Sequence, residues 1–515
     1  MGTGDLSPAG NQDVNPAPPP PAGETRSRLR LNRNLVLNAA GMALPVVASV
    51  LALPFLVALV GTARFGAFAL VLAVLAYVSL LDLGLGSAVT WKIATLLARP
   101  ATQEEIALTV RTAAVAALAI GIAVGGVWFL YSPALAAAAL AQEGQLVPEA
   151  AACLAALALA TPAIYFGAVT SGLLAAYGEF GRLNVTRVPA GVLNYVLPVL
   201  AVRLWGDLAT ACYLLVVVRY AATFVQVAQC ARLCPELVER ERPVFSRMAL
   251  GSLLGFGGWL TVSNTVGPLM VYMDRFYLAT TRSAEQVTQY VTAHELASKL
   301  LLLPALVLPV YFPLLAASIS RPREDAQSMQ PIQLAAGMAL ASCIPSAVAA
   351  AFAPELIGVW MRGLVPSITT SAFQVLAGAV FVNCVAQVFY TMVQAAGRTA
   401  LIARIHLLEL PVYGAVLWYL TARHGVLGVA GAWALRVAVD SVVFCGFAAA
   451  DLPRPMARRL WHLLGTSMLV GIVIAGFSQV PQAHLRAWVA LLPLIFLAGW
   501  WRDLKSLFRA GAPRA

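Results

Sequence analysis

The chain has 515 residues, of which 60% are hydrophobic and only 11% charged, against roughly 25% charged in a soluble domain. That excludes a soluble enzyme, and apolar runs of helix length, rather than short alternating strands, exclude a membrane β-barrel. The net charge of +11 does not point to nucleic acid: the bases sit in short loops between apolar runs, with no basic stripe interleaved with aromatics.

The chain begins with a polar, Pro-rich stretch ("NPAPPPPAGE") that lacks the basic-then-apolar order of a cleaved signal. Residues 1–30 are expected to form a disordered cytoplasmic tail, with the basic "RSRLRLNR" at the membrane face. Apolar runs then predict spans at 35–60, 66–91, 106–130, 149–176, 186–202, 208–231, 249–273, 286–317, 332–352, 367–395, 401–421, 426–449, 460–479 and 486–501. That is about fourteen helices, each near the ~20 residues a bilayer requires.

Placing both termini in the cytoplasm puts most of the 34 lysines and arginines on the cytoplasmic side. The longest predicted outer loop, 131–148, contains no lysine or arginine. No loop is large enough for a catalytic domain. The seven cysteines lie mostly in apolar runs; Cys230 and Cys234 lack two further ligands for zinc, so the cysteines read as small packing residues without a disulfide framework.

An internal repeat runs through the spans. "GEFGRLNVTRVPAGVLNYVLPVL" resembles "QAAGRTALIARIHLLELPVYGAV", with Gly181-Arg182 on Gly397-Arg398 and Arg219 on Arg436, six helices apart. An even number of helices gives the halves one orientation, and parallel repeats around a midplane site are a transporter signature.

Charged residues inside spans mark the candidate site, because an intramembrane charge costs at least ~2.5–3.5 kcal/mol and usually faces the bundle interior. Asp82, beside Gly84 and Gly86, is either a cavity carboxylate or a structural partner; the repeat sets Lys299 opposite it. Glu295 and Lys299 are four apart in the favourable helical order, and His294 is expected at the outer interface. Asp274 and Arg275 are adjacent near the outer end of the seventh span, as an interfacial anchor or the lining of an outer mouth. Arg436 and Asp440 are again four apart, whereas Arg219 has no such neighbour, and Glu409 precedes Pro411. Lys299, Arg275, Arg219 and Arg436, with Asn38 and Asn264, are the candidate binders of an anionic, polar substrate. Asp82, Asp274, Glu295, Glu409 and Asp440 are the candidate ion-coupling or charge-balancing acids. No Walker loop, paired His ligands or G-x-S-x-G elbow occurs. The expectation is therefore a transporter without catalytic residues, metal or cofactor, driven by a gradient or the membrane potential, with H+ or Na+ as the possible coupling ion.

The stretches "NRNLVLNAAGMALPVVASVLALPF", "TARFGAFAL", "SLLDLGLG", "MDRFYLA", "KLLLLPALVLPVYFPLLA" and "QAAGRTALIARIHLLELPVYGAVLWYL" occur in this order over residues 33–450. Together they resemble the polysaccharide transporter family, the Wzx-like flippases of the multidrug/oligosaccharidyl-lipid/polysaccharide exporter superfamily. The resemblance implies an all-α integral membrane fold with two six-helix lobes in pseudo-two-fold parallel repeat around a central cavity, plus two C-terminal helices. The expected divisions are 31–233, 234–451 and 452–515. The resemblance also implies alternating-access movement of an undecaprenyl-pyrophosphate-linked oligosaccharide across the bacterial inner membrane, for O-antigen, capsule or exopolysaccharide synthesis. Lys299 is by this similarity the phosphate ligand. The implied partners are the lipid-linked glycan, the bilayer and the polymerase or export machinery, with a monomeric chain and no nucleic acid. A drug or cation exporter of the same superfamily would want an acid-dominated cavity. A glycan polymerase or ligase would need a large periplasmic loop. A major-facilitator transporter would carry a GxxxDRxGRR-type loop, where this chain has "WKIATLLARPATQEEIALTVR".

Overall fold

The computed structural model of the chain describes residues 43–80, 85–97, 102–239, 243–319, 330–477, 480, 488–493 and 499–500. Among these it is helical throughout, with no strand. Helices α1 (Ala43–Val60) and α2 (Thr62–Leu80) meet at Gly61. Its φ of 81° is a left-handed conformation that glycine adopts without steric cost. Helix α3 (Leu85–Leu97) follows. The second span, expected over 66–91, is described as α2 and α3; residues 81–84, Asp82 among them, lie outside the described residues.

Helix α4 (Gln103–Ala139) is N-capped by Thr102, whose Oγ1 accepts from the Glu105 N–H, and Glu104 and Glu105 fill the first turn. It runs nine residues past its expected end, through Pro133 into an alanine-rich stretch whose helix propensity is high. Helices α5 (Val147–Ala158) and α6 (Thr161–Ala176) form the fourth span. Helices α7 (Phe180–Trp205) and α8 (Leu208–Leu233) are joined at Gly206, and Asp207 caps α8 by accepting the N–H groups of Ala209 and Thr210.

In the second half, α9 (Arg247–Thr281) and α10 (Ala284–Ser298) are capped by Ser246 and Ser283. The eighth span, expected as one helix, breaks after α10 into a 3-10 turn at Lys299–Leu301 before α11 (Leu302–Ile319). Pro304 is the cause: it has no N–H for the Leu300 carbonyl, and its ring crowds the preceding turn. The freed Leu300 carbonyl is met by Cys384 Sγ at 3.8 Å. Helices α12 (Gln330–Ala351), α13 (Ala353–Trp360) and α14 (Ser367–Ala395) follow. Helix α15 (Thr399–Ala450) holds two expected spans joined at a kink, Gly425 (φ 55°, ψ −127°). Arg282 caps the first of them by donating to the carbonyls of Thr421 and Ala422. Helix α16 (Arg454–Phe477) is the last long element among the described residues; half of the expected span 486–501 falls outside them.

Eleven segments among the described residues are long and apolar enough to cross a bilayer. One of them, Ala400–Ala450, is too long for a single crossing, since ~20 residues suffice. Helices α3, α4, α5, α6 and α8 pack on one another, while α10, α11, α12, α15 and α16 surround α14. The two groups meet through α2 on α10 and through α9 on α2, α3 and α4. The outer surface is apolar, with Leu130, Phe224, Leu408 and Ile472 exposed; lipid tolerates this and water would not. All seven cysteines are free and buried.

Candidate functional site

A cavity of about 610 Å³ lies between α9, α10, α14 and α15, and Arg275, Glu295, Lys299, Arg436 and Asp440 line it together. Five of the sequence-selected charges therefore converge. Glu295 is the hub of one cluster: its carboxylate is 2.9 Å from Lys299 Nζ and 3.5 Å from Arg275 Nη2. The i,i+4 pair expected from the sequence thus gains a second base, from α9. Lys299, which the repeat sets opposite Asp82, is held by Glu295.

Asp274 and Arg275 are buried in the bundle rather than anchored at an interface. Asp274 accepts the Tyr290 hydroxyl and the backbone N–H of Arg275. Arg275 donates to His294 Nδ1 at 3.0 Å. Because a guanidinium can only donate, Nδ1 must be the acceptor, so the neutral ring carries its proton on Nε2. His294 is therefore a buried bridge against the Trp433 edge, not the interfacial group expected.

Arg436 centres a second cluster. It bonds Glu409 at 3.1 Å and Asp440 at 3.6 Å, with its guanidinium over the Tyr413 ring. Glu409, expected as an ion-coupling or charge-balancing acid with no partner assigned, is brought to Arg436 by the fold of α15 on itself. His406 stacks on Tyr390, and ligand atoms of His406, Glu409 and Asp440 lie within 4.8 Å of one another. These three could hold a cation, but Arg436 already supplies positive charge to both carboxylates.

The first-half base, Arg219, stands apart. It lines a cavity of about 440 Å³ within the first group of helices, and also a cavity of about 210 Å³ that reaches Tyr272, Arg275 and Glu295. The smallest cavity thus links the other two: it shares Arg219 with one and Tyr272, Arg275 and Glu295 with the other. No ion pair to Arg219 forms among the described residues, in keeping with its lack of a sequence neighbour. Asn38 and Asp82 lie outside the described residues, as does the side chain of Asn264.

Sequence reasoning missed His406, Tyr413 and Arg187. His406, Glu409 and Tyr413 were findable, because spacings of three and four put them on one helical face. Arg187 sits near a predicted span boundary and reads there as a loop base.

A family model described as "Polysaccharide biosynthesis protein" matches residues 32–319. A Shigella flexneri protein named "Putative O-antigen transporter" is 25% identical over 420 residues, covering 80% of this chain and 96% of that protein. An inward-facing conformation of a multidrug resistance MATE family transporter of the MOP superfamily superposes with a TM-score of 0.68 at 16% identity, over 84% of this chain and 99% of that one. An outward-facing MATE family transporter gives 0.58 at 17% identity, over 85% and 96%. A MOP superfamily transporter from Pyrococcus furiosus, described as having a binding pocket of reverse polarity, gives 0.58 at 17%, over 84% and 95%. At these identities the solved structures share the fold and nothing finer.

Proposed function

The chain belongs to the polysaccharide biosynthesis protein family, and from that premise we propose that it carries an undecaprenyl-pyrophosphate-linked oligosaccharide across the bacterial inner membrane. The observation that supports this most is the run of polar cavities inside an apolar-surfaced bundle, with Arg219, Arg275, Lys299 and Arg436 on their walls. A cation exporter gains nothing from four bases, whereas glycan and pyrophosphate need donors for anionic oxygens. The prenyl tail stays in lipid at a lateral gap while the polar head enters the cavities. Residues 31–233 and 234–451 act as the two lobes, with 452–515 appended to the second.

In the positive-inside orientation, the starts of α2 and α10 lie at the outer side. There Gly66 lets the helices touch: a Cβ on it would sit 1.9 Å from the Ala284 carbonyl oxygen. Thr288 Oγ1 donates to Thr62 O at 2.5 Å. This contact is the outer gate, closed in the conformation described, and alternating access opens it while the opposite side closes.

Lys299 serves as a phosphate ligand that exchanges Glu295 for the substrate. The test is glycan translocation in a flippase-null bacterium carrying wild type or Lys299→Ala at matched membrane levels. Rescue by wild type and failure of the variant is the expected result. Rescue by both would demote Lys299 to the structural half of its pair. Failure of wild type in several glycan-matched hosts would refute the flippase reading and favour the drug exporter.

A further inference from the structure

The bases that line the cavity of the second group of helices have acid partners, and among the described residues Arg219 does not. Lys299 and Arg275 share Glu295, and Arg436 holds Glu409 and Asp440. The Nε of Arg219 is buried without a hydrogen-bond partner. The cavity of about 440 Å³ in front of it has no carboxylate on its described wall, but it does have a second arginine, Arg187. The one acid on the described wall of the smaller cavity on its other side is Glu295, which is already engaged twice. A guanidinium does not deprotonate, and taking an unpaired charge out of water costs several kcal/mol. Arg219 is such a group, and Arg187, more exposed, faces the same void; two bases with no carboxylate on the described wall define a place for an anion.

The rest of the wall narrows the class of anion. Thr90 Oγ1 donates to the carbonyls of Gly86 and Gly172. Thr223 Oγ1 donates to Ala163 O, and Ser171 Oγ donates to Gln226 Oε1. Gln226 is fixed in turn by Thr170 and Thr186. With their protons committed, these hydroxyl oxygens can only accept from a ligand. The wall therefore asks for anionic acceptors opposite the arginines and hydroxyl donors opposite the threonines and serine. A glycosyl diphosphate carries both, and a simple carboxylate or hydrophobic cation does not.

We propose that Arg187 and Arg219 form a diphosphate subsite in the first half of the bundle, separate from Lys299, with the flanking hydroxyls receiving the adjoining sugar. In the positive-inside orientation Arg187 lies toward the cytoplasmic side, so this subsite meets the substrate first and passes it along the shared cavity walls to the Arg275–Lys299 cluster. The role in loading rests on the flippase reading; the anion subsite itself is a matter of binding.

The test uses the full chain purified in detergent, titrated calorimetrically with farnesyl diphosphate, inorganic pyrophosphate and farnesol. Farnesyl diphosphate should bind wild type, and Arg219→Gln should weaken it about tenfold or more, the worth of a charge-assisted bond. Arg187→Gln should weaken it in the same direction, and Arg219→Lys should recover part of the loss. Competition by inorganic pyrophosphate supports recognition of the diphosphate alone, whereas its failure to compete supports a lipid-borne one. Equal competition by farnesol would overturn the proposal, as would both glutamine variants binding within twofold of wild type, or loss of binding in Lys299→Gln alone.

Melting of each variant keeps misfolding apart from lost binding. If Arg219→Gln lowers the melting midpoint, Asp82→Asn restores it in the double variant and probe binding never changes, then the arginine is only a counter-charge and the subsite is refuted. Arginine-dependent binding in a chain that fails to rescue any glycan host would leave the subsite standing and the flippase reading fallen.

Discussion

Arg436 should be the charge whose loss the fold tolerates least, and the structure sets the order of effects around it. Its side chain is 12% exposed, that of Glu409 9% and that of Asp440 17%. Arg436→Gln leaves two carboxylates, with ligand atoms within 4.8 Å of each other, and no base between them. Breaking a buried pair by removing one partner costs about 3–5 kcal/mol; the adjoining cavity favours the lower end. Glu409→Gln leaves Arg436 with Asp440, so about 1.5–3 kcal/mol is lost, the worth of one charged hydrogen bond. The triple variant Arg436→Gln, Glu409→Gln, Asp440→Asn removes every charge at nearly constant shape and should regain most of the loss, because a neutral replacement escapes the desolvation cost. Thermal unfolding of the detergent-solubilised chain should therefore rank wild type first, then Glu409→Gln and the triple variant, with Arg436→Gln last. A triple variant no more stable than Arg436→Gln, or a Glu409→Gln as damaging as Arg436→Gln, would refute this account of the cluster.

Gly378 and Gly471 let α14 and α16 touch: a Cβ on Gly378 would lie 2.4 Å from the Gly471 carbonyl oxygen. Gly378→Ala should therefore cost about 1–3 kcal/mol, while Gly465→Ala, which meets nothing within 4 Å, should leave the melting midpoint unchanged or raised. Gly66→Val should hold α2 off α10 without unfolding either; the expected signature is loss of glycan translocation with increased labelling of Thr292→Cys, buried in wild type, by an impermeant maleimide. Asp207 lies outside the spans. Burial alone would raise its pKa, but hydrogen bonds from Thr210 and Ala209 and the Arg64 charge outweigh it and hold the carboxyl below its ordinary range. Its folded-state pKa being depressed, its stabilisation is present above the unfolded carboxyl range near ~4 and is lost as pH falls through the folded value. Asp207→Ala should thus lower stability by about 1 kcal/mol at neutral pH, and the gap should close in acid.

Span existence was legible because each helix needs a long apolar run, and the match of 367–395 with α14 shows how well hydropathy locates a helix buried on all sides. Breaks were less legible. The expected helix over 286–317 carried Pro304 in view, yet hydropathy is blind to a lost backbone donor, so the 3-10 turn at Lys299 went unread. The i,i+4 pairs Glu295–Lys299 and Arg436–Asp440 were legible from spacing alone. The third members were not: Arg275 reaches Glu295 from α9, and Glu409 reaches Arg436 across the bend of α15. Only packing sets such distances.

The break and the chemistry coincide for a physical reason. A base inside a bilayer needs a polar neighbourhood, and a continuous helix offers none, because its carbonyls are spent on its own turns. Pro304 frees the Leu300 carbonyl one residue from Lys299 and loosens the turn that carries the ammonium group. Discontinuous helices form midplane sites in many transporters for this reason. Pro304→Ala should then do more than remove a kink. By restoring the helical bond to Leu300 it would draw Lys299 into a regular turn, tighten its i,i+4 pairing with Glu295, and compete with any anion that must displace that carboxylate. The result expected is a stabler chain that translocates more slowly, read as a raised melting midpoint together with weakened rescue in the flippase-null host. A variant that is both stabler and fully active would sever the link between the broken helix and the function of Lys299.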